Sequence, residues 1–323
     1  MTILCLNPNP ALEHTWLVPG FLAGTAGQAS FVAHAQETLV LAGGKGANVA
    51  RGIACLGESA VQCGMLGGHT GRWLAELVQA ESISAHWVWI QGETRHAWAL
   101  IDPEVPGRET ALLSGDGPAL AADDWDNFID EADQAAETAG LACISGSLPP
   151  GVPPGGIRSL IERLHGRGAA VWLDSSGEGL TQALGGEPAG RPDGLKINAA
   201  EAAYLTGTAI TDTASARDAA QKLCEAGPGE VVITRGAGGA VMLGQQGAWW
   251  VGAPNVSGAV STVGSGDAFL AGLLVGRACQ HSVPEMLRLA AACGGANTLL
   301  PGGGRFDAEI ARGMLAQVEV CEL

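Results

Sequence analysis

A turn leading into a helix is encoded by Ser261-Thr262-Val263-Gly264-Ser265-Gly266-Asp267-Ala268-Phe269-Leu270, where small residues precede one carboxylate and then apolar side chains. Gly264 and Gly266 allow successive backbone N–H groups to point the same way, and the following helix adds the positive end of its dipole. The stretch therefore predicts an anion site, and phosphate is the anion that suits it best.

Asp267 allows two interpretations of this site. A carboxylate at its edge repels a phosphate that is merely bound, but it suits a base that takes the proton of a hydroxyl attacking that phosphate. The alternative is an ordinary glycine-rich turn with an acidic residue in the first turn of the helix, which is common. From these residues alone, both interpretations stay open.

The composition limits the classes of protein to which the chain can belong. Its 323 residues are 47% hydrophobic and 15% charged, which is typical of a folded protein with a large core. The 49 glycines are too many for a helical bundle and indicate many tight turns. A formal net charge of −16 repels nucleic acid and anionic membranes, so neither is an expected partner. An anionic substrate must then be held by a local group of the 17 Lys and Arg side chains.

Eight cysteines are spread along the chain without a Cys-x-x-Cys pair, and most have apolar neighbours. Scattered thiols of this kind are typical of a reducing compartment and argue against a disulfide framework or a zinc site. The N-terminus shows no basic segment followed by an apolar one, and the uncharged stretches are interrupted by polar residues, Gly and Pro. We therefore expect a cytoplasmic protein without a membrane span.

Strands and helices alternate regularly from residue 123 onward, which predicts βαβ crossovers and a mainly parallel sheet. The predicted strands are 141–145, 169–173, 194–197 and 230–234, and the predicted helices are 124–139, 156–167, 199–205 and 214–226. A polar cluster follows each strand, at residues 145–151, 174–177, 196–201 and 234–239. Because ligands of parallel sheets lie at the carboxyl ends of the strands, we expect these clusters to form one site.

The first half of the chain adds a second, smaller β layer and a candidate cation. Alternating segments near 11–17, 28–42 and 95–114 predict short strands outside the main sheet, and no linker divides residues 1–323 into two domains. Lys45 lies in Gly43-Gly44-Lys45-Gly46-Ala47-Asn48, where the backbone can approach a ligand closely. The alternative for Lys45 is a solvated side chain on a strand-to-helix turn. A Walker A loop is excluded, because Gly46 stands where Ser or Thr is required.

Taken in order, these motifs resemble the ribokinase-like (PfkB) family of carbohydrate kinases over nearly the whole chain. Residues 43–50 are similar to its N-terminal signature and residues 262–267 to its C-terminal one. Between them lie Ser145-Gly146-Ser147-Leu148-Pro149-Pro150-Gly151, an Asn-x-x-Glu motif at Asn198 and Glu201, and Gly236-Ala237-Gly238-Gly239. The resemblance implies a three-layer α/β/α sandwich with a mainly parallel central sheet and a small β-sheet lid.

The resemblance also implies a role for each motif in an ATP-dependent phosphotransferase. Asp267 would be the catalytic base, and the backbone of Gly264, Ser265 and Gly266 would stabilise charge on the transferring phosphoryl group. The implied substrate-binding residues are Glu13, Gly43, Gly44, Lys45, Asn48, Arg95 and Ser145, with Lys45 and Arg95 holding the phosphate already on the substrate. The implied ATP-binding residues are Lys196, Thr234, Gly236 and Gly239. Asn198 and Glu201 would bind Mg²⁺ through water.

Within the family, Asn9-Pro10-Ala11-Leu12, Lys45, Thr94-Arg95 and Ser261 resemble the sugar-phosphate branch. This implies phosphorylation of a sugar phosphate, with fructose 1-phosphate converted to fructose 1,6-bisphosphate as the leading reaction and tagatose 6-phosphate or fructose 6-phosphate as alternative substrates. Glu13 departs from the family, which usually has Asp there. A non-catalytic sugar-phosphate sensor and a kinase of free sugars or nucleosides are the competing hypotheses. The resemblance also implies a homodimer that forms through the lid.

Overall fold

The computed structural model describes residues 1–21, 32–105 and 110–323. Strands in these ranges are β1 (Thr2–Asn7), β2 (Ala11–Leu17), β3 (Glu37–Gly43), β4 (Ala60–Leu66), β5 (Ser84–Trp89), β6 (Arg95–Ile101), β7 (Thr110–Ser114), β8 (Ala139–Ser145), β9 (Ala170–Asp174), β10 (Gly194–Asn198), β11 (Glu230–Thr234), β12 (Ala240–Gly244), β13 (Gly247–Val251) and β14 (Val320–Glu322). Helices are α1 (Lys45–Cys55), α2 (Gly68–Ala80), α3 (Asp124–Ala135), α4 (Gly156–Gly166), α5 (Glu178–Ala183), α6 (Ala199–Thr206), α7 (Thr213–Glu225), α8 (Ser265–Ala278), α9 (Val283–Asn297) and α10 (Ala308–Met314).

The described strands form a large sheet and a small one. The large sheet has ten strands in the order β14-β13-β12-β11-β10-β9-β8-β1-β4-β5. Every pairing from β5 to β11 is parallel, and β12, β13 and β14 continue the sheet as antiparallel strands. The predicted mainly parallel sheet is therefore confirmed.

Apolar side chains on both faces of the large sheet give the fold its three layers. On β1, Ile3 and Cys5 belong to one core cluster, whereas Leu4 and Leu6 belong to the other. The first cluster also takes in apolar residues of α1, α2, α8, α9 and α10, and the second takes in those of α3, α4, α5, α6 and α7. A strand that is buried on both faces reads as a continuous apolar run, which explains why the sequence revealed it. The α/β/α sandwich is confirmed.

The order of strands reverses between β1 and β8. The chain proceeds from β1 outward to β4 and β5 on one side, and from β8 outward to β9, β10 and β11 on the other. A crevice forms at the carboxyl ends of the strands where the order reverses, and ligands of open α/β sheets bind there. Asn7 ends β1 and Ser145 ends β8, so these two residues mark the crevice.

The small sheet has the order β3-β2-β6-β7, with β2 parallel to β6 and the outer pairs antiparallel. Five of its side chains share one face and form what we call the aromatic face: His14, Trp16, His96, Trp98 and Leu113. The rings of His14 and Trp98 stack with their centroids 5.2 Å apart. The predicted small β layer is thus present, although residues 28–31 and 106–109 of its predicted segments lie outside the described residues.

Several predicted boundaries were wrong for local reasons. The alternating pattern before Leu41 extended to residue 29, but β3 begins only at Glu37. The helix predicted over 124–139 ends at Ala135 and tightens into a 3₁₀ turn before β8 begins at Ala139. A 3₁₀ turn follows α10 after Met314, and the short elements α5 and β14 were missed. No helix in the described ranges is long and apolar enough to cross a membrane.

Candidate active site

In the glycine turn before α8, Gly264 lies against other backbone and leaves no room for a larger residue, and Gly266 lies against a lysine side chain. Gly264 has φ 77° and is the N-cap of α8. A Cβ atom on Gly264 would lie 2.2 Å from the Cα of Gly303, and one on Gly266 would lie 2.9 Å from Nζ of Lys196. The predicted turn therefore brings the first N–H groups of α8 next to a buried cation, as an anion site requires.

Asp267 lies in the first turn of α8 and is only 6% exposed. Asn48 of α1 donates a hydrogen bond from Nδ2 to Oδ2 of Asp267 over 2.8 Å. Burial and the charge of Asp174 raise the pKa of Asp267 to about 6, while Lys196, Lys45 and the hydrogen bond from Asn48 oppose that rise. A carboxylate with a pKa near the working pH is suited to accept a proton during catalysis.

Asp174, at the end of β9, bridges two lysines in the centre of the site. Its Oδ1 accepts a hydrogen bond from Nζ of Lys45 and its Oδ2 accepts one from Nζ of Lys196, both over 2.7 Å. Burial alone would raise the pKa of Asp174, but the two cations outweigh it and hold the pKa below its ordinary value. Burial likewise lowers the pKa of Lys45, but Asp174, Glu201 and Asp267 outweigh it and hold that pKa above its ordinary value. Lys45 therefore belongs to the charged cluster around Asp174, with its side chain 31% exposed.

Asp174 was not among the residues singled out from the sequence. The signal was the polar cluster 174–177 directly after a buried strand, one of the four that were expected to meet. It gave no means of telling which member of the cluster faces the lysines.

The Asn-x-x-Glu motif forms a capping box at the start of α6. The side chain of Asn198 accepts a hydrogen bond from the backbone N–H of Glu201, and Oε2 of Glu201 accepts one from the N–H of Asn198, each over 2.9 Å. The other carboxylate oxygen, Oε1, lies 3.6 Å from Nζ of Lys45. Glu201 therefore joins the lysine network, and one of its oxygens faces the site.

Arg95 opens β6 and holds three acceptors from the neighbouring backbone and loop. Its Nε and Nη2 donate to the carbonyl oxygen of Asn9 over 3.2 and 2.9 Å, and Nη1 donates to Ser114 and to the carbonyl oxygen of Gly115. Burial lowers the pKa of Arg95, and Asp116 opposes this effect. The side chain borders a cleft of about 450 Å³ that Ser147 also lines. The structure thus places Arg95 at the rim of a cleft.

Glu13 is buried on β2, opposite the aromatic face. Burial raises the pKa of its carboxyl, and Arg51, the N–H of Gly303 and Thr15 each oppose that rise. A Cβ atom on Gly43 would lie 2.6 Å from the Cβ of Glu13, so the small sheet closes tightly over this carboxyl. Glu13 is therefore held within the protein by partners that the sequence did not reveal.

The crevice between β1 and β8 contains buried polar atoms without partners. Within the described ranges, Oδ1 of Asn7 and Oγ of Ser145 accept or donate no hydrogen bond. A Cβ atom on Gly44, which has φ 91°, would lie 2.7 Å from Oδ1 of Asn7. Buried polar groups are normally paired, so these atoms indicate a place where a hydroxyl or water would bind. Asn7 is a further residue that the sequence did not single out.

The residues predicted to bind ATP lie at the carboxyl ends of β10 and β11. Lys196 is 4% exposed and belongs to the network around Asp174. The hydroxyl of Thr234 donates to the carbonyl oxygen of Ile197, the residue after Lys196, over 3.4 Å. Gly236 and Gly239 form the turn into β12 with φ 55° and 78°. A Cβ atom on Gly239 would lie 2.0 Å from the carbonyl oxygen of Val251, whereas Gly236 has open space in that direction.

Comparisons with known proteins agree with this architecture. The sequence profile of the pfkB family carbohydrate kinases matches residues 23–309. Tagatose-6-phosphate kinase of Staphylococcus epidermidis is 28% identical over 322 residues, which covers 99% of this chain and 100% of the relative. 1-Phosphofructokinase of Rhodobacter capsulatus is 33% identical over 294 residues, covering 90% and 89%. Phosphofructokinase-2 of Escherichia coli, solved in complex with fructose-6-phosphate, superposes with a TM-score of 0.83 at 28% identity and 98% coverage of both chains.

A three-layer fold of this topology, with a buried carboxylate behind a glycine turn, defines a kinase of the ribokinase-like class. The chain belongs to the pfkB family of carbohydrate kinases, as the sequence motifs predicted. Membership of this family implies ATP as the co-substrate.

Proposed function

We propose that the protein transfers the γ-phosphoryl group of Mg-ATP to a hydroxyl of a sugar phosphate, with fructose 1-phosphate as the leading substrate and fructose 1,6-bisphosphate as the product. The observation that carries the proposal is Asp267, a buried carboxylate with a pKa raised to about 6 at the N-terminus of α8. Relatives named 1-phosphofructokinase and tagatose-6-phosphate kinase, at 33% and 28% identity, support the substrate class.

In the proposed reaction, Asp267 accepts the proton of the attacking hydroxyl. The hydroxyl oxygen forms a bond to the γ-phosphorus, the bond between that phosphorus and the bridging oxygen breaks, and ADP leaves with the electron pair. The N–H groups of Gly264, Ser265, Gly266 and Asp267 stabilise the charge that develops on the phosphoryl oxygens. Asn48 keeps the base oriented through its hydrogen bond of 2.8 Å.

Lys45 and Arg95 are proposed to bind the phosphate that the sugar already carries. Nζ of Lys45 lies next to the carboxylates of Asp174 and Glu201. The substrate phosphate would be a third anionic partner of the same ammonium group. Arg95 borders the cleft of about 450 Å³, where phosphate oxygens would replace Ser114 and the carbonyl oxygen of Gly115 as acceptors of its Nη1 group. Glu13, Gly43, Gly44, Asn48 and Ser145 are proposed to hold the sugar hydroxyls. The unpartnered Oγ of Ser145 supports this assignment.

ATP is proposed to lie along the carboxyl ends of β10 and β11, against Lys196, Thr234, Gly236 and Gly239. Oε1 of Glu201 takes no part in the capping box and lies 3.6 Å from Nζ of Lys45, and we propose that it holds Mg²⁺ through water together with Asn198. The described residues contain no group of three or more His, Cys, Asp or Glu that would form a complete metal site. These few donors fit Mg²⁺, which prefers phosphate oxygens and its own waters and neutralises phosphate charge when bound.

A second copy of the chain is the proposed partner of the aromatic face, which would give a homodimer through the small sheet. Trp16 and Leu113 on this face are 37% and 56% exposed. Large apolar side chains that share one exposed face are typical of protein interfaces. A cytoplasmic location is proposed as well, because the described residues include all eight cysteines and all are free thiols.

A substrate panel tests the proposed function directly. ADP release from Mg-ATP is measured with fructose 1-phosphate, tagatose 6-phosphate, fructose 6-phosphate and unphosphorylated fructose side by side. We expect the highest kcat/KM with fructose 1-phosphate and almost no activity with fructose. A preference for tagatose 6-phosphate would replace the leading substrate, and a preference for fructose would contradict the substrate class. If calorimetry detects binding of a sugar phosphate but Mg-ATP releases no ADP with any of the four compounds, the protein is a non-catalytic sensor.

A further inference from the structure

Arg51 is a buried cation that the proposed mechanism does not use. It lies on α1, three residues after Asn48, and is 6% exposed. A guanidinium remains charged at any physiological pH, so its burial requires partners for the charge and for its N–H groups. Arg51 finds these partners in its own helix and in three other segments of the chain.

Glu81 fixes the position of the guanidinium. Nε and Nη2 of Arg51 donate to the two carboxylate oxygens of Glu81 over 2.8 and 2.9 Å, which is a bidentate pair. Nη2 also donates to the carbonyl oxygen of Ala42 over 2.6 Å, and Nη1 donates to that of Gly303 over 2.7 Å. A bidentate ion pair with two further hydrogen bonds leaves the guanidinium a single orientation.

This orientation determines which way the amide of Asn48 points. Nη1 of Arg51 donates to Oδ1 of Asn48 over 3.1 Å, and Nδ2 of the same amide donates to Asp267 over 2.8 Å. A reversed amide would direct its carbonyl oxygen at the carboxylate of Asp267 and its NH₂ group at the guanidinium. Both of those contacts are repulsive, so Arg51 excludes the reversed amide.

We propose that Arg51, anchored by Glu81, is a positioning residue that directs the amide of Asn48 at Asp267 and thereby orients the base toward the reacting hydroxyl. The role assigned to Asp267 as base rests on the proposed function, whereas the coupling of Arg51 to its carboxylate does not.

The charged and titratable groups around Asp267 set the sign of the expected effect. Burial and Asp174 of β9 raise the pKa of Asp267, while Lys196 of β10 and Lys45 of α1 lower it. The amide of Asn48 also lowers it by donating to the carboxylate. Loss of Arg51 weakens only the hydrogen bond from Asn48 to Asp267. Since this hydrogen bond lowers the pKa of Asp267, the pKa should rise.

The test uses the Arg51→Lys substitution, which keeps the positive charge but removes the planar fork of donors. The pKa of Asp267 is measured in the ligand-free protein by ¹³C NMR titration of Asp carboxyl groups, with Asp267→Asn assigning the signal. We expect the pKa to rise by about one unit, the size of effect that one hydrogen bond to a carboxylate produces. The acidic limb of the kcat profile should shift in the same direction, with KM for Mg-ATP unchanged within about twofold.

Two further variants keep the test decisive. Arg277→Lys is the matched control, since Arg277 on α8 forms a partly buried pair with Glu230 away from Asp267. It should lower the melting temperature without moving the pKa of Asp267. Glu81→Gln removes the anchor of Arg51 at a site that is 23% exposed, and it should raise the pKa by a smaller amount if Arg51→Lys does not fold.

Non-additivity supplies the final criterion. In an Asn48→Ser background, Arg51→Lys should cause no further rise of the pKa, because the amide that connects the two residues is gone. An unchanged pKa in both Arg51→Lys and Glu81→Gln overturns the inference and assigns Arg51 to stability alone. A raised pKa in a protein that releases no ADP with any sugar phosphate retains the coupling and rejects the proposed function instead.

Discussion

Strand β2 carries opposite chemistry on its two faces. Glu13 and Thr15 point into the protein and are 7% and 2% exposed, whereas Trp16 on the aromatic face is 37% exposed. A sheet that covers a core ordinarily has the reverse arrangement, with apolar side chains inward and polar ones outward. The central strand β1 differs from both arrangements, because Ile3, Leu4, Cys5 and Leu6 are apolar and buried on its two faces. The reversal shows that the small sheet covers a polar site, and its outward apolar side chains are the surface that we propose a second copy of the chain to cover.

The largest expected effect is the loss of turnover in Asp267→Asn. This variant tests whether the polar site that the small sheet covers is the catalytic site. The amide cannot accept the proton of the attacking hydroxyl, so kcat should fall by about 10³-fold or more. Calorimetry should still detect binding of Mg-ATP and sugar phosphate. Substantial turnover in this variant would remove Asp267 as the base.

Lys45→Ala tests whether the polar site under the small sheet also binds the phosphate of the substrate. Loss of a charge-assisted hydrogen bond should raise KM for the sugar phosphate by about 10- to 100-fold. Lys222→Ala is the matched control, because Lys222 on α7 is exposed and donates only to Thr208 among its described contacts. Equal KM values in the two variants would show that Lys45 serves the carboxylates around it and not the substrate.

Leu113→Asp tests the aromatic face by placing a charge on its edge strand, β7. If a second copy of the chain covers this face, an unpaired buried carboxylate should weaken self-association by about 10-fold or more. Ile310→Asp is the control, since Ile310 is 45% exposed on α10 and lies outside the small sheet. Sedimentation velocity measures the oligomeric state, and a Leu113→Asp protein that associates like the parent would reject this interface.

The smallest expected effect is a gain in stability for Asp267→Asn. The pKa of Asp267 rises from an ordinary value of 3.8 to about 6 in the folded protein, so folding disfavours the ionised form. The unfavourable free energy of burying ionised Asp267 is therefore fully present in the parent protein above pH 6, and it disappears as the pH falls toward 4. Asp267→Asn should melt about 2–5 °C higher at pH 7, with the difference vanishing near pH 4. A difference that is constant over this pH range would contradict the titration.

The sequence predicted the parallel strands and singled out Asp267 and Lys45, but it did not single out Asp174 or Asn7 and did not predict how these side chains are connected. Buried strands such as β8 and β9 are continuous apolar runs that end at polar residues, and the resemblance to a kinase family located Asp267 and Lys45. Arg51 has an ordinary helical position in α1, and only the distant segments at Ala42, Glu81 and Gly303 give it a role. Side-chain contacts between residues so far apart along the chain leave no local pattern.

The short elements were missed for a different reason. A helix of six residues, such as α5, is too short to show a period, and β14 pairs with β13 only because the C-terminal segment returns to the edge of the sheet. Boundaries next to 3₁₀ turns failed because the last turn of a helix carries the same apolar spacing as the helix itself.

The central place of β1 has a consequence for the synthesis of the protein. Leu4 pairs with Val61 on one side and with Ala142 on the other, so β1 cannot complete its hydrogen bonds during synthesis until residues of β8 have followed. Pairings between segments so distant along the chain slow folding and leave apolar edges open in the meantime. A nascent chain that stops before Ala139 would therefore expose β1 along one edge, and we expect such truncated chains to aggregate or to bind chaperones.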